Sequence, residues 1–147
     1  MDGDSASGAE ICCLLSALTL VPLRQDLAMT GAIDQLGRIQ PIGAVTEKVE
    51  GFFAVCKEAG LTGTQGVIVP RANAGDLMLD AEVAGACAAG AFGVYAVETI
   101  HQALALFTGM EAGEYDSGTG YAEGTLLRLA QDRVRAFWRM TRARPKA

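Results

Sequence analysis

The chain has 147 residues, half of them apolar, which is the size of one domain with enough apolar side chains to bury a core. Residues 1–125 hold 5 basic and 16 acidic residues, whereas residues 126–147 hold 7 basic and 1 acidic, and the formal net charge is −5. This acidic body argues against nucleic acid as the main partner, and no apolar run approaches the roughly 20 residues of a membrane span. The apolar stretch 11–21 lacks the preceding basic segment of a signal peptide, so a cytosolic protein is expected.

The first half of the chain predicts a helix, a hairpin and a second helix. Residues 9–18 are apolar nearly all round, which predicts a buried helix capped by Ser5 or Asp4. Segment 26–33 is predicted as one strand that forms a hairpin with 38–42. Apolar side chains then recur at near-helical spacing from Thr46 until Gly60 ends the helix.

Strands and helices alternate after that. Strands are predicted at 66–70 and 92–97, a helix capped by Asp80 covers 81–89, and a helix capped by Thr99 ends at Phe107. This alternation, together with frequent glycine, predicts βαβ-like packing.

The C-terminal part differs in composition from the rest. The Gly-rich segment 109–124 is predicted as a linker. The last helix is predicted to gather Leu127, Ala130, Val134, Phe137 and Trp138 on one face, with arginines around them. That face is expected either to dock on the core or to contact another subunit or a further domain.

Two residues 43 positions apart, Ser5 and Lys48, form a candidate catalytic pair. A serine hydroxyl needs a general base within about 3 Å, and a lysine amine serves only when an apolar site keeps it neutral. Residues at three- and four-residue spacing from Lys48 are uncharged: Ala44, Val45, Gly51 and Phe52. Ser5 opens a helix, whose free N–H groups favour a developing oxyanion.

The pattern leaves several roles open. Ser7 competes with Ser5 as nucleophile. Asp4 could pair with Lys48 and keep it charged, and Thr30 could orient the amine from its strand. Each also has an ordinary structural explanation: Ser5 as a helix cap, Lys48 as a solvated lysine, and Thr30 as a β-favouring residue.

Other chemistry has little support in the sequence. The cysteines fit neither a disulfide framework nor a zinc site and are expected to be small buried hydrophobes: Cys12, Cys13, Cys56 and Cys87. The single histidine, His101, is expected on an ordinary helix. No phosphate loop, dinucleotide fingerprint or H-E-x-x-H motif occurs.

Several ordered segments carry a family resemblance: Gly3-Asp4-Ser5-Ala6-Ser7, then 28–33, 37–48 and 66–73. Together they resemble the proteolytic domain of Lon peptidases, in the bacterial Lon-like branch with the G-D-S-A-S form, over about residues 2–110. The resemblance implies an α+β fold of the ribosomal protein S5 domain 2 type. It also implies a serine-type endopeptidase in which Ser5 is the nucleophile, Lys48 the base and Thr30 a neighbour of the lysine.

The resemblance carries further expectations about partners and domains. Family members form hexameric rings with AAA+ modules that unfold protein substrates; ATP and magnesium are expected to act only through such a module, and no cofactor is expected in this chain. The predicted organisation is a C-terminal part of the proteolytic domain at 1–110, a linker at 111–125 and a basic helix at 126–147. Because the family has further strands before the serine, the chain is expected to be a truncated piece. The alternative is a catalytically inactive remnant that acts as an assembly or binding domain.

Overall fold

Helices and strands alternate along residues 3–142, the part of the chain that the computed structural model describes. The helices α1–α5 are Ser7–Thr19, Val45–Ala59, Ala81–Ala88, Ile100–Thr108 and Leu126–Arg142. The strands β1–β7 are Leu27–Met29, Ala32–Ile33, Ile39–Gln40, Gly66–Pro70, Gly93–Val97, Tyr115–Asp116 and Gly120–Tyr121. A 3-10 helical segment, Arg71–Asp76, follows β4. The chain therefore mixes α and β structure, as predicted.

A parallel three-stranded sheet in the order β1–β4–β5 forms the centre of the molecule. All five residues of β4 are buried, and their side chains alternate between the two faces of the sheet. Ile68 joins the cluster formed with α1, α4 and α5, whereas Val67 and Val69 join the cluster formed with α2 and α3. Helices therefore cover both faces, as parallel crossovers require.

The elements between residues 45 and 108 agree with the prediction to within one or two residues. Asp80 caps α3 through its Oδ1 atom, which accepts a hydrogen bond from the Val83 N–H at 2.9 Å. Thr99 and Gln102 form a reciprocal capping box at the start of α4. Gly60 follows α2, as expected of a helix stop.

The single strand predicted at 26–33 is wrong, because the segment divides into β1 and β2. β1 pairs in parallel with β4, and β2 pairs antiparallel with β3, so only the second half forms the predicted hairpin. The change of direction occurs at Thr30 and Gly31, where the chain lies against the start of α1.

Helix α1 departs from the prediction in its cap and in its burial. Ala6 occupies the cap position without a side-chain hydrogen bond, and the Asp4 carbonyl accepts a hydrogen bond from the Ser7 N–H at 2.9 Å. Gly8 and Cys12 are the buried residues of the helix, while Leu14 is 64% exposed. The expectation of a helix buried all round is therefore wrong, since one side of α1 remains open in the described part of the chain.

The segment predicted as a linker contains the paired strands β6 and β7. Asp116 Oδ1 accepts hydrogen bonds from the Gly118 and Thr119 N–H groups and closes the turn between them. Just before these strands, the buried Ala112 joins the core, and its carbonyl accepts a hydrogen bond from the Leu127 N–H at 2.9 Å. The segment is thus attached at its start and at its end.

Helix α5 docks through its first turns only. Leu126 and Ala130 are buried, whereas Val134, Phe137 and Trp138 are 53%, 47% and 55% exposed. The predicted apolar face exists, but its second half lies beyond the core. The predicted continuation of this helix through residues 143–147 lies outside the described residues.

Candidate functional site

Ser5 and Lys48 lie in direct contact. The Lys48 Nζ atom donates a hydrogen bond to Ser5 Oγ at 3.1 Å, and both side chains are partly buried. Ser5 lies two residues before α1, and Lys48 lies in the first turn of α2. The structure therefore brings together the two residues that were predicted as a pair from segments 43 positions apart.

Backbone hydrogen bonds hold Ser5 in place. The Ser5 carbonyl accepts from the Gly31 N–H at 2.8 Å and from the Thr30 hydroxyl at 3.4 Å, and the Gly8 N–H donates to the Gly31 carbonyl at 3.0 Å. A Cβ atom at Gly8 would lie 2.8 Å from the Gly31 carbonyl oxygen, so only glycine permits this approach without a shift. The serine is therefore fixed against the bend between β1 and β2.

A buried asparagine holds the segment that precedes Lys48. Asn73 is 5% exposed, and its amide accepts from the Ile42 N–H at 2.9 Å and donates to the Ile42 carbonyl at 3.1 Å. Two residues later, Ala44 adopts a left-handed conformation with φ of 56° and begins α2. The two hydrogen bonds from Asn73 therefore stabilise the turn that precedes α2, the helix that carries Lys48.

Sequence reasoning assigned Asn73 no role, although it belongs to a segment that carries the family resemblance. Its position offered one usable signal: a polar residue just after a fully apolar strand lies near the carboxyl end of a parallel sheet, where functional groups collect. Its contact with Ile42 spans 31 residues and could not be read from local pattern.

The Ser5–Lys48 pair opens into a small cavity of about 230 Å³. Apart from the pair and Thr30, its walls are apolar: Ala6, Ala28, Met29, Phe52 and Val67. These walls leave room for a substrate side chain beside the amine.

Thr30 and Asp4 make contacts other than those expected of them. Thr30 is buried and lines the same cavity as Lys48, but its hydroxyl donates to the Ser5 carbonyl rather than orienting the amine. Asp4 is exposed, and within residues 3–142 no ion pair joins it to Lys48. Asp4 contributes its backbone carbonyl to the turn that follows Ser5.

The structure also distinguishes the two serines. The Ser7 hydroxyl accepts a hydrogen bond from the Ile33 N–H at 3.0 Å and so ties α1 to β2, while the contact with Lys48 belongs to Ser5. The N–H groups of Ser7 and Gly8 are bonded to the Asp4 and Gly31 carbonyls. Those of Ser5 and Ala6, next to the Ser5 hydroxyl in the chain, make no hydrogen bond within residues 3–142.

The remaining candidates are structural. Burial first, and the neighbouring Cys13 second, raise the pKa of the Cys12 thiol to about 12, so this thiol stays protonated at neutral pH. Cys13 is exposed, so the expectation that all four cysteines are buried is wrong at this position. His101 Nδ1 lies 3.5 Å from a Glu114 carboxylate oxygen on the surface.

Two kinds of feature are absent from residues 3–142. That range contains no group of three or more potential metal-ligating side chains. None of the helices there combines the length and apolar character needed to cross a bilayer.

Comparisons with known proteins place the chain in a family. A model of the Lon protease (S16) C-terminal proteolytic domain matches residues 1–107. A protein of Escherichia coli (strain K12) described as a Lon protease homologue is 46% identical over 134 residues, covering 91% of this chain and 22% of that protein. A similarly described protein of Haemophilus influenzae is 42% identical over 153 residues, covering 97% of this chain and 25% of that protein.

A more distant relative is an archaeal Lon protease of Thermococcus kodakarensis, 40% identical over 116 residues that cover 78% of this chain and 16% of that protein. The chain therefore spans about a quarter or less of the length of these relatives. The family match contains Ser5, Thr30 and Lys48, and it covers nearly the same residues as the resemblance recognised in the sequence. The chain belongs to the Lon protease proteolytic-domain family.

Proposed function

We propose that this chain hydrolyses peptide bonds with Ser5 as the nucleophile and Lys48 as the general base and acid. The observation that carries the proposal is the 3.1 Å hydrogen bond between Lys48 Nζ and Ser5 Oγ beside an apolar cavity. Proton transfer between the two groups requires a hydrogen-bond distance of this kind. Membership of a protease family supports the same conclusion.

The reaction proceeds through an ester between Ser5 and the substrate. A neutral Lys48 amine takes the proton from the Ser5 hydroxyl as its oxygen attacks the peptide carbonyl carbon. The C–N bond then breaks, and the Lys48 ammonium returns the proton to the leaving amine. Water then attacks the ester while its proton passes to Lys48. As the Ser5–acyl bond breaks, the Lys48 ammonium returns that proton to Ser5 Oγ, so the carboxylic acid is released and both the serine and the neutral amine are restored.

The free N–H groups of Ser5 and Ala6 are proposed to hold the oxyanion that forms on the substrate carbonyl. They lie beside the nucleophile at the start of α1, where the helix dipole favours negative charge. The bonds from Gly31 and Thr30 to the Ser5 carbonyl fix the orientation of this peptide unit. In this proposal Thr30 is a positioning residue for Ser5.

Asn73 is proposed as a positioning residue for Lys48. It touches neither member of the pair, and it acts through Ile42 and the left-handed turn at Ala44. The exposed Asp4 side chain is proposed to contribute through charge alone.

The substrates and partners follow from the family. We propose that the substrates are unfolded proteins and that an AAA+ module, with its ATP and magnesium, delivers them to this domain within a hexameric assembly. A reducing cytosol is the proposed setting, because the four cysteines are free thiols. A fold of the ribosomal protein S5 domain 2 type is proposed from the same family membership.

The test is cleavage of a fluorescently labelled unfolded protein by the purified chain and by Ser5→Ala and Lys48→Ala variants. We expect each substitution to lower the initial rate at least about 10³-fold, because each removes a group that takes part in bond making. The double variant should be no slower than either single variant, since the two groups act as a unit.

Matched controls are available close to each member of the pair. Ser7→Ala and Lys57→Ala remove a serine of α1 and a lysine of α2 whose side chains bond to Ile33 and Glu82 instead. Both controls should retain cleavage within about threefold if they stay folded. Equal residual cleavage in wild type, Ser5→Ala and Lys48→Ala would instead support a non-catalytic assembly domain.

A further inference from the structure

The second half of α5 presents an apolar ridge flanked by arginines. The α5 ridge consists of Val134, of Phe137 and Trp138, which lie three and four residues after Val134 and so share its face, and of Arg135 and Arg139 beside them. All five side chains are exposed. The ridge therefore offers aromatic anchors and positive charge to a partner, as helices that bind grooves do.

A groove of opposite character lies between α2 and the segment 79–83. Its floor contains Phe53, Ala54 and Val83, and it encloses about 350 Å³. Its rim carries four carboxylates, those of Glu50, Glu58, Asp80 and Glu82. The single basic side chain at this rim, Lys57, is paired with Glu82. We call this feature the acidic groove.

The charge of the whole chain follows the same division. Residues 126–147 carry 7 basic residues and 1 acidic residue, whereas residues 1–125 carry 5 and 16. An anionic lipid surface or a nucleic acid would attract α5 but repel the far larger acidic body. A second copy of the chain has both parts: its acidic body would attract the α5 helix of the first copy, and its own α5 helix would be attracted to the acidic body of the first.

The α5 ridge and the acidic groove of one molecule lie on opposite faces of the central sheet. α5 packs with α1 and α4 through Leu126, and its Arg133 Nε donates to the Leu18 carbonyl at 3.3 Å. The groove lies on the face that α2 and α3 cover. Because the first turns of α5 are buried in place, its ridge cannot reach its own groove.

We propose that the α5 ridge of one copy of this chain docks into the acidic groove of a second copy. The contact joins two different surfaces, so it is heterologous, and each copy keeps one free ridge or groove for a further copy. Phe137 and Trp138 fill the groove above Phe53, and Arg135 and Arg139 face the carboxylates of the rim. The proposal is independent of the Ser5–Lys48 chemistry.

The test begins with the mass of the purified chain, measured by light scattering and sedimentation across micromolar concentrations. We expect association that weakens as the ionic strength rises to about 0.5 M, because rim charges are screened. Trp138 is the only tryptophan, so its fluorescence should shift to shorter wavelength as it becomes buried.

Charge reversal then tests the two surfaces together. One variant, Arg135→Glu with Arg139→Glu, makes the ridge acidic. The other, Glu58→Arg with Glu82→Arg, makes the acidic groove basic at two exposed residues of its rim. Each variant alone should associate at least about 100-fold more weakly than wild type, and an equimolar mixture should recover association, because each ridge then meets a groove of opposite charge.

Circular dichroism and urea unfolding of both variants provide the folding control, since all four substituted positions are exposed. Three results would overturn the proposal: a wild-type chain that stays monomeric, variants that associate as tightly as wild type, or a mixture that fails to recover association. Binding of α5 to vesicles of anionic lipid in a monomeric wild-type chain would assign the ridge to a membrane instead.

Discussion

The start of α1 around Ser5, called the corner here, and the second half of α5 differ in how many contacts they make with the rest of the chain. At the corner, Ser5, Gly8 and Gly31 are joined by short backbone hydrogen bonds, and a glycine allows the chain segments to touch. In α5, apolar side chains continue for two turns past the last buried residue, Ala130, and remain exposed. The corner is determined by contacts within the chain, whereas the end of α5 still has apolar surface to bury.

This difference indicates where substitutions should matter. Buried side chains and close backbone approaches contribute most of the free energy of unfolding, and exposed apolar residues contribute little until a partner covers them. Each of the following experiments compares a substitution at a position with close contacts and a substitution at a matched position whose contacts are fewer or weaker.

The largest expected effect compares two residues of the α5 apolar face. Leu126 is fully buried, so Leu126→Ala should lower the free energy of unfolding by about 3 kcal/mol through the lost transfer energy and the cavity left behind. Phe137→Ala should change it by less than about 0.5 kcal/mol, because Phe137 is 47% exposed. Urea unfolding at low protein concentration measures both values, and equal losses would show that α5 docks along its whole length.

The second comparison concerns two helical glycines. Gly8→Ala should cost about 1–3 kcal/mol, since its Cβ atom would lie 2.8 Å from the Gly31 carbonyl oxygen, and it should displace Ser5. Gly51→Ala in α2 meets nothing within 4 Å and should stabilise the chain by about 0.5–1 kcal/mol through helix propensity. Thermal unfolding and the cleavage assay are the measurements, and a Gly8→Ala variant of wild-type stability would contradict the close approach.

The third comparison tests the turn before Lys48. Asn73→Ala leaves the Ile42 peptide group without its two partners and should cost about 1–3 kcal/mol. With peptide substrates, kcat should fall more than KM changes, because Asn73 does not line the cavity beside Ser5. The control is Asp76→Asn, whose one side-chain contact within residues 3–142 is a 3.4 Å hydrogen bond from Asn73, and which should leave both values nearly unchanged. A fall in stability with no change in kcat would limit Asn73 to a structural role.

The smallest effect concerns acid stability. The Arg24 guanidinium donates two hydrogen bonds to the Asp26 carboxylate and lowers its pKa from 3.8 to about 2. Because the pKa of Asp26 is lower in the folded chain than in the unfolded chain, the ion pair stabilises the fold at every pH above about 4. This stabilisation is lost as the pH falls from about 4 to about 2. Because the pair is partly exposed, we expect less than about 1 kcal/mol. The free energy of unfolding should depend less on pH between pH 2 and pH 6 in Asp26→Asn than in wild type. The control is Asp132→Asn in α5, which removes an ion pair worth about 0.3–0.5 kcal/mol.

Sequence reasoning was most successful where local signals determine the structure. Asp80 and Thr99 fixed the starts of α3 and α4, and the run Gly66–Pro70 was predicted to the residue as β4. Each of these signals acts within a few residues of the element that it defines, through a cap or a continuous apolar run.

Long-range pairing explains the part of the fold that sequence reasoning could not predict. The division of segment 26–33 depends on β4, because β1 pairs with that strand in parallel and Met29 lies opposite Ile68. This partner strand lies far along the chain, so no local signal marks the break at Thr30 and Gly31. The pairing of β2 with β3 is local by comparison, and that half of the hairpin prediction is confirmed.

The candidate site shows the same limit. The pairing of Ser5 with Lys48 was predictable because each residue lies in a motif that resembles a family, and their catalytic role stays a prediction. The partner of the Thr30 hydroxyl and the bracing of Ile42 by Asn73 depend on contacts across 25 and 31 residues. The pair Tyr115 and Tyr121, which flanks a Gly-containing turn, was a local signal for β6 and β7 that sequence reasoning passed over.

The separation of Ser5 and Lys48 along the chain has a consequence for synthesis. Lys48 lies on α2, which packs on the sheet formed by β1 and β4, so a chain that has not formed this tertiary structure does not hold the two groups together. If the pair acts as proposed, a nascent copy has no peptidase activity with which to damage its neighbours or itself. Formation of the sheet would then be the step at which the active pair forms.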